Sequence, residues 1–253
     1  MDELAAMMQE FPPSMETLRQ MKFPSIKQIL ADLPRVELLS RPGKQVEYSN
    51  LGIALLAHVL ERVTGQEYTT YVERQILQPL GMQHSGFSST VRASVNTAVC
   101  YLPFSSPPQA APFETKIING FTPTGALWSS VGDMSRLMAF MTGAQDAHPA
   151  RILSRSALLE MTGMVVPLEH SRYTGTAAPG GVGIGWFLTE VRGQLVAEHG
   201  GADPSTAAYI AWVPALDLAA FAATNTGKNP AAVAAAVSTL LEWIIVDIHE
   251  SRI

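Results

Sequence analysis

GWFLTEVRGQLVAEHGGADPSTAAYIAWVPALDLAAFAAT, residues 185–224, is the stretch that decides the fold. Residues 185–191 and 194–199 are two runs rich in Val, Leu, Phe and Trp around Arg192-Gly193, a two-residue hairpin signal. Residues 207–213 and 218–224 repeat the arrangement around Pro214-Ala215-Leu216-Asp217. Short turns between consecutive strands predict an antiparallel meander, because parallel neighbours need long crossovers.

Working outward, residues 231–246 form the most apolar long stretch. At that length, and with Glu242 inside it, it reads as too short to span a bilayer and as a buried C-terminal helix. Upstream, residues 174–183 read as a flexible Gly-rich approach to the sheet. Before them helical spacing dominates. Ile26, Ile29, Leu30 and Leu33 share a face that Pro34 ends. Arg41-Pro42-Gly43-Lys44 is a turn, and Leu51, Ala54, Leu55, His58 and Val59 line a helix over 51–63 that stops at Gly65. Another helix covers about 68–77, ending before Pro79. Residues 86–124, rich in Ser, Pro, Thr and Asn, read as irregular chain over a surface or cleft. Ser130 can cap a helix over 131–142 with Asp133 in its first turn, and a further helix is expected over 154–161. Helices first, then a meander and a packing helix, predict an α+β chain, not a βαβ sheet. The mainly helical part is expected over about 1–170 and the meander with its helix over about 171–253.

Composition narrows the function classes. The 253 residues are 47% hydrophobic and 15% charged, with net charge -5 and no run of Lys or Arg, so a nucleic-acid partner is not expected. Cys100 is the single cysteine, which excludes an intrachain disulfide and a Cys-based zinc site. The stretch MDELAAMMQEFPPS has acidic residues where a secretion signal needs basic ones. No cofactor or metal motif is present: there is no P-loop, no His-Glu-X-X-His and no Gly-X-Ser-X-Gly elbow, and Gly180-Gly181-Val182-Gly183 is not a dinucleotide fingerprint.

Two short motifs carry chemistry. Tyr48-Ser49-Asn50 follows a Pro-Gly turn at a helix N-terminus. A phenol there can move protons where nearby cations favour the phenolate, and the Asn50 carboxamide can bond a substrate amide. Equally, Asn50 can cap the helix and Tyr48 can pack as a plain aromatic. The second motif is Glu198-His199-Gly200-Gly201-Ala202 at the end of a predicted strand. Paired glycines let a backbone approach a ligand, and a free strand-edge N–H can hold an oxyanion. His199 can orient a carboxylate or shuttle a proton. Equally, the strand can simply turn at Gly-Gly beside a surface histidine.

Taken together the motifs point to a family. PGKQVEYSNLGIALLAHVLERVTGQEY (42–68) and ILQPLGMQHSGF (76–87) closely resemble the tyrosine-motif region of class C β-lactamases and their esterase and D-amino-peptidase relatives. GALWSSVGDMSRLMAF (125–140), GVGIGWFL (181–188) and HGGADPSTAAYIAWVP (199–214) resemble later segments of the same group, in the same order. The resemblance implies a β-lactamase/transpeptidase-like fold, with an antiparallel sheet flanked by helices and a helical subdomain. It implies hydrolysis of a small ester, amide or β-lactam through an acyl-serine. Tyr48 would stand at the general-base tyrosine and Asn50 at the substrate-binding amide. His199, Gly200 and Gly201 would form the third motif, with the Ala202 N–H as an oxyanion donor.

One element of the pattern is missing. The group's Ser-X-X-Lys lies upstream of the tyrosine motif, yet no serine in the 253 residues is followed three residues later by lysine. Ser25-Ile26-Lys27 has the wrong spacing for one helix face. The expectation is a truncated domain that lacks its first strands and nucleophile helix. Such a chain is an inactive fragment or a catalytically dead binding module, with an exposed sheet edge open to self-association.

Overall fold

The computed structural model describes residues 23–44, 46–87, 97–102, 107, 109–110, 119–144, 152–167, 180–227 and 229–251. The expectations for residues 1–14, for 174–179 and for much of 86–124 fall outside them.

The helical half builds as its caps dictate. Helix α1 (Ile26–Asp32) starts at Ser25, whose hydroxyl accepts from the Gln28 N–H while the Gln28 side chain returns to the Ser25 N–H. A 3-10 turn, Leu33–Arg35, closes it at Pro34. Helix α2 (Asn50–Thr64) is capped by Ser49, whose hydroxyl accepts from the Gly52 N–H at 2.9 Å. Asn50 is the first helical residue, not the cap, so its carboxamide is not committed to that bond. Helix α3 (Tyr68–Val72) runs into a π-helical turn, Glu73–Leu77. Strands β1 (Tyr101–Leu102) and β2 (Gln109–Ala110) pair with each other, and a 3-10 segment spans Asn119–Thr124. Helix α4 (Val131–Thr142) is capped by Ser130, and α5 (Arg155–Glu160) by Ser154.

The sheet is a pure meander. Strands β3 (Val166–Pro167), β4 (Gly181–Val182), β5 (Phe187–Val191), β6 (Gln194–Asp203), β7 (Thr206–Val213) and β8 (Leu218–Thr224) lie in sequence order, each antiparallel to the next. Arg192 and Gly193 both have positive φ, 53° and 76°, as the tight turn between β5 and β6 demands.

Strand β6 does not stop at Gly-Gly as the sequence reading expected. It continues to Asp203, and the hairpin turns at Pro204-Ser205. The reason is Asp203: its Oδ1 accepts from the Ser205 N–H at 2.6 Å, the Ser205 hydroxyl at 2.9 Å and the Thr206 N–H at 2.8 Å. That carboxylate supplies the turn itself, so the glycines stay in extended chain.

Alternation along each strand sends neighbours to opposite faces. Leu188, Ala197 and Trp212 pack against Met82, Phe140 and Met141 of the helical half. Val196, Ala211 and Val213 pack against the closing helix α6 (Pro230–Glu250) through Val237, Leu241 and Ile245. Helix α6 is 21 residues long, longer than the stretch expected from sequence, and its most apolar 18 residues have mean hydropathy 1.8, enough by length and composition alone to cross a membrane. The extra length comes from its ends, where Asn229 caps Pro230 at the start. One face of α6 lies on the sheet, while Leu240 and Trp243 are exposed.

Two polar ties join the parts. Asp133, fully buried, accepts from the His84 N–H and the Ser85 hydroxyl, both at 2.7 Å, and from Arg136 at 3.0 Å. Paired backbone bonds between Gly86 and Trp128 run beside it. Arg155 bonds the Met141 carbonyl, the Pro214 carbonyl and Asp217, and lies 5.5 Å over the Trp212 ring.

Asp133→Ala should destabilise the chain by about 2–4 kcal/mol, since it removes the acceptor of the buried Ser85 hydroxyl and of the His84 N–H, while the half-exposed Arg136 turns to water. Asp133→Asn, which keeps one accepting oxygen, should cost about half as much. Urea unfolding of the two variants checks both the size and the order.

Candidate active site

The site begins with a mismatch of strand lengths. Strand β6 pairs with β7 from Ala197 to Asp203, but with β5 only from Gln194 to Glu198, opposite Phe187. From His199 to Asp203, one edge of β6 has no β5 beside it. Backbone groups along a strand alternate between its two edges, so amides in this stretch point towards the open side.

Tyr48 fills part of that side. The turn at Arg41–Lys44, closed by the Lys44 N–H on the Arg41 carbonyl at 3.1 Å with Gly43 at φ 77°, leads into extended chain that ends at the Ser49 cap. Tyr48 is thereby held one residue before the cap, with half its surface exposed. Its ring centroid lies 6.2 Å from that of His199 and 6.3 Å from that of Phe187, nearly parallel to the latter at 19°. Phe187 and His199 are 5.7 Å apart. The three rings form one cluster at the point where β5 begins and β6 runs on alone.

The candidate residues separate into those at the contact and those along its flank. Tyr48 and His199 touch across the gap between the helical half and the sheet. Asn50 is exposed in the first turn of α2, two residues from Tyr48. Gly200, Gly201 and Ala202 follow His199 along the open edge. The two glycines answer to different neighbours. A Cβ on Gly200 would lie 3.1 Å from the Tyr209 ring, whereas one on Gly201 would meet nothing within 4 Å. Gly200 makes room for packing within the sheet, and Gly201 leaves open space at the edge.

Burial lowers the His199 pKa from its usual 6.5, against a backbone hydrogen bond with Gly200 that acts in the opposite direction. The imidazole is therefore neutral near pH 7 and offers a dipole in place of a fixed positive charge. No cluster of three or more His, Cys, Asp or Glu that could hold a metal occurs among the described residues. A cavity of about 300 Å³, lined in part by Lys27, His58, Glu61, Tyr68 and Asn119, lies within the helical half and includes none of the six candidates.

Phe187 is the site residue that sequence reasoning missed. The GWFL run marks a strand entry but not where its rings settle, and the Phe187 ring lies 5.7 Å from that of His199 although Phe187 pairs in register with Glu198.

Comparison with known proteins agrees with the architecture. A family model described as Beta-lactamase matches residues 3–241. The chain is 30% identical over 116 residues to Protein flp of Staphylococcus aureus (strain N315), covering 46% of this chain and 23% of that one. It is 28% identical over 182 residues to Putative beta-lactamase-like 1 of Homo sapiens, covering 72% of this chain and 34% of that one. The octameric penicillin-binding protein homologue from Pyrococcus abyssi superposes with TM-score 0.73 at 23% identity, covering 88% of this chain and 49% of that one. D-amino acid amidase from Ochrobactrum anthropi SV3 superposes with TM-score 0.67 at 19% identity, covering 93% of this chain and 67% of that one. The chain thus spans a quarter to a third of these curated relatives and about half to two thirds of these solved ones.

The lowered His199 pKa has a signed consequence. The unfolded chain binds that proton more tightly than the folded one, so this contribution to stability is fully present above about pH 6.5 and is lost as pH falls towards the folded-state value. Titration of the His199 ring by NMR should give a midpoint below 6.5. A midpoint at or above it would mean that the ring is solvated.

Proposed function

The chain belongs to the beta-lactamase family, and on that premise we propose that it carries the proton-handling and oxyanion wall of an acyl-serine hydrolase site. The family and its solved neighbours include β-lactamases, amidases and penicillin-binding-protein-like proteins. What supports the reading here is one contact: Tyr48 lies 6.2 Å, ring to ring, from His199, beside the strand edge that β5 leaves uncovered.

The chemistry runs as follows. A serine hydroxyl attacks the substrate carbonyl, and Tyr48, as general base, takes its proton and then returns it to the leaving group. Charge that develops on the carbonyl oxygen is met by the Ala202 N–H on the open edge. The Asn50 carboxamide holds an amide of the acyl portion. Neutral His199 provides no permanent cation for a substrate carboxylate, which favours esters and amides over carboxylate-bearing β-lactams.

The serine of this scheme has no Ser-X-X-Lys to come from within the 253 residues. By themselves they supply the wall and form no acyl-enzyme. Incubation with p-nitrophenyl butyrate or a fluorescent penicillin, followed by intact mass measurement, should show no adduct. A stable adduct, for instance on Ser49, would overturn the assignment of roles.

A longer protein holding these residues behind a Ser-X-X-Lys helix should become labelled. Tyr48→Phe in it should slow acylation about a hundredfold or more, the scale of a lost general base. An unchanged rate would remove Tyr48 from the mechanism. The missing motif also favours a second reading, a binding module that keeps the cleft without the reaction. Reversible binding of an acylated ester, with no labelling of either the chain or a longer form, would select it.

A further inference from the structure

Behind the cleft, on the opposite face of the sheet, lies a polar cluster that the chemistry above does not use. Glu198 precedes His199 and, by strand alternation, points the other way. It is 7% exposed, and the strand register puts it on one face with Thr189 and Tyr209, whose hydroxyls lower its pKa as hydrogen-bond partners. Thr189 is on β5 and is itself buried, and Tyr209 is on β7 opposite Gly200. The cluster therefore crosses the three central strands. Burial raises the Glu198 pKa and the two hydrogen bonds pull it back. A valine at this position would avoid the cost of burying a carboxyl in a sheet whose neighbouring faces are apolar. Stability alone gives no reason for the polar choice.

Its location does. Glu198 is the last residue of β6 with β5 beside it, and Gly200 is where the Tyr209 ring rests on bare backbone. The two contacts bracket His199 where one of the two flanking ladders runs out. A strand held by one ladder opens more readily than one held by two, and its amides lose their aim when it does.

We propose that Glu198 and Tyr209 are positioning residues: their hydrogen bond, shared with Thr189, holds the stretch from His199 to Ala202 against β7 where β5 no longer supports it. The proposal rests on reading that stretch as the oxyanion wall, but its test requires no catalysis.

Amide hydrogen exchange on the 253-residue chain decides it. Tyr209→Phe keeps the ring and removes the hydroxyl. Exchange of those amides between His199 and Asp203 that face β7 should rise roughly tenfold, while amides of β5 and of the Gln194–Ala197 half of β6 keep their rates. Glu198→Gln, whose carbonyl still accepts, should retain most of the protection. If Tyr209→Phe fails to fold, Thr189→Val removes the other donor and should produce a smaller rise at the same amides. No change at those amides, or an equal rise across the whole sheet, would overturn the proposal, the latter by reducing the cluster to ordinary stability. Covalent labelling tests the hydrolase reading separately, so the failure of one experiment cannot be mistaken for the failure of the other.

Discussion

Strand β6 is ten residues long and its neighbour β5 is five, and that inequality is the constraint on which the site depends. A sheet with equal strands would have satisfied every edge between them internally. Here the excess length extends past the start of β5, next to the segment that carries Tyr48. Chain geometry thus creates polar backbone that is held on one side and available on the other. Both halves of the molecule are needed for this: the sheet supplies the free edge, and the Pro-Gly turn and Ser49 cap bring the phenol to it.

The halves are not joined by apolar packing alone. Asp133 fixes the chain around His84 and Ser85 to the start of α4 within the helical half, and Arg155, on α5, reaches across to the β7–β8 turn of the sheet while holding the end of α4. Both use a single charged side chain to gather groups from distant parts of the sequence. Each lies beside the Trp212, Leu188 and Met141 core that separates helices from sheet.

Much of the fold was legible because local chemistry and tertiary structure agree. Arg192-Gly193 demanded a tight hairpin, Ser130 and Ser154 demanded helix starts, and the structure has them at those residues. The misreadings share a cause: two side chains competed for one role and sequence could not choose. Asn50 and Ser49 are both good caps, and Ser49 took the bond because its hydroxyl is three residues from Gly52. Gly200-Gly201 and Asp203-Pro204-Ser205 are both good turns, and the Asp203 carboxylate won with three acceptor contacts. Phe187 was invisible for a different reason. Its importance lies in ring contacts with Tyr48 and His199, which arise from tertiary packing and leave no mark on its own run of residues.

Gly201 carries a further consequence. A methyl group there would meet no heavy atom of the chain within 4 Å, so the fold has room for one added carbon at that position. Intolerance to alanine there would then point to a visitor pressed against the strand. A single methyl at position 201 thus becomes a gauge of how closely a guest molecule approaches the backbone, read with little disturbance of the host.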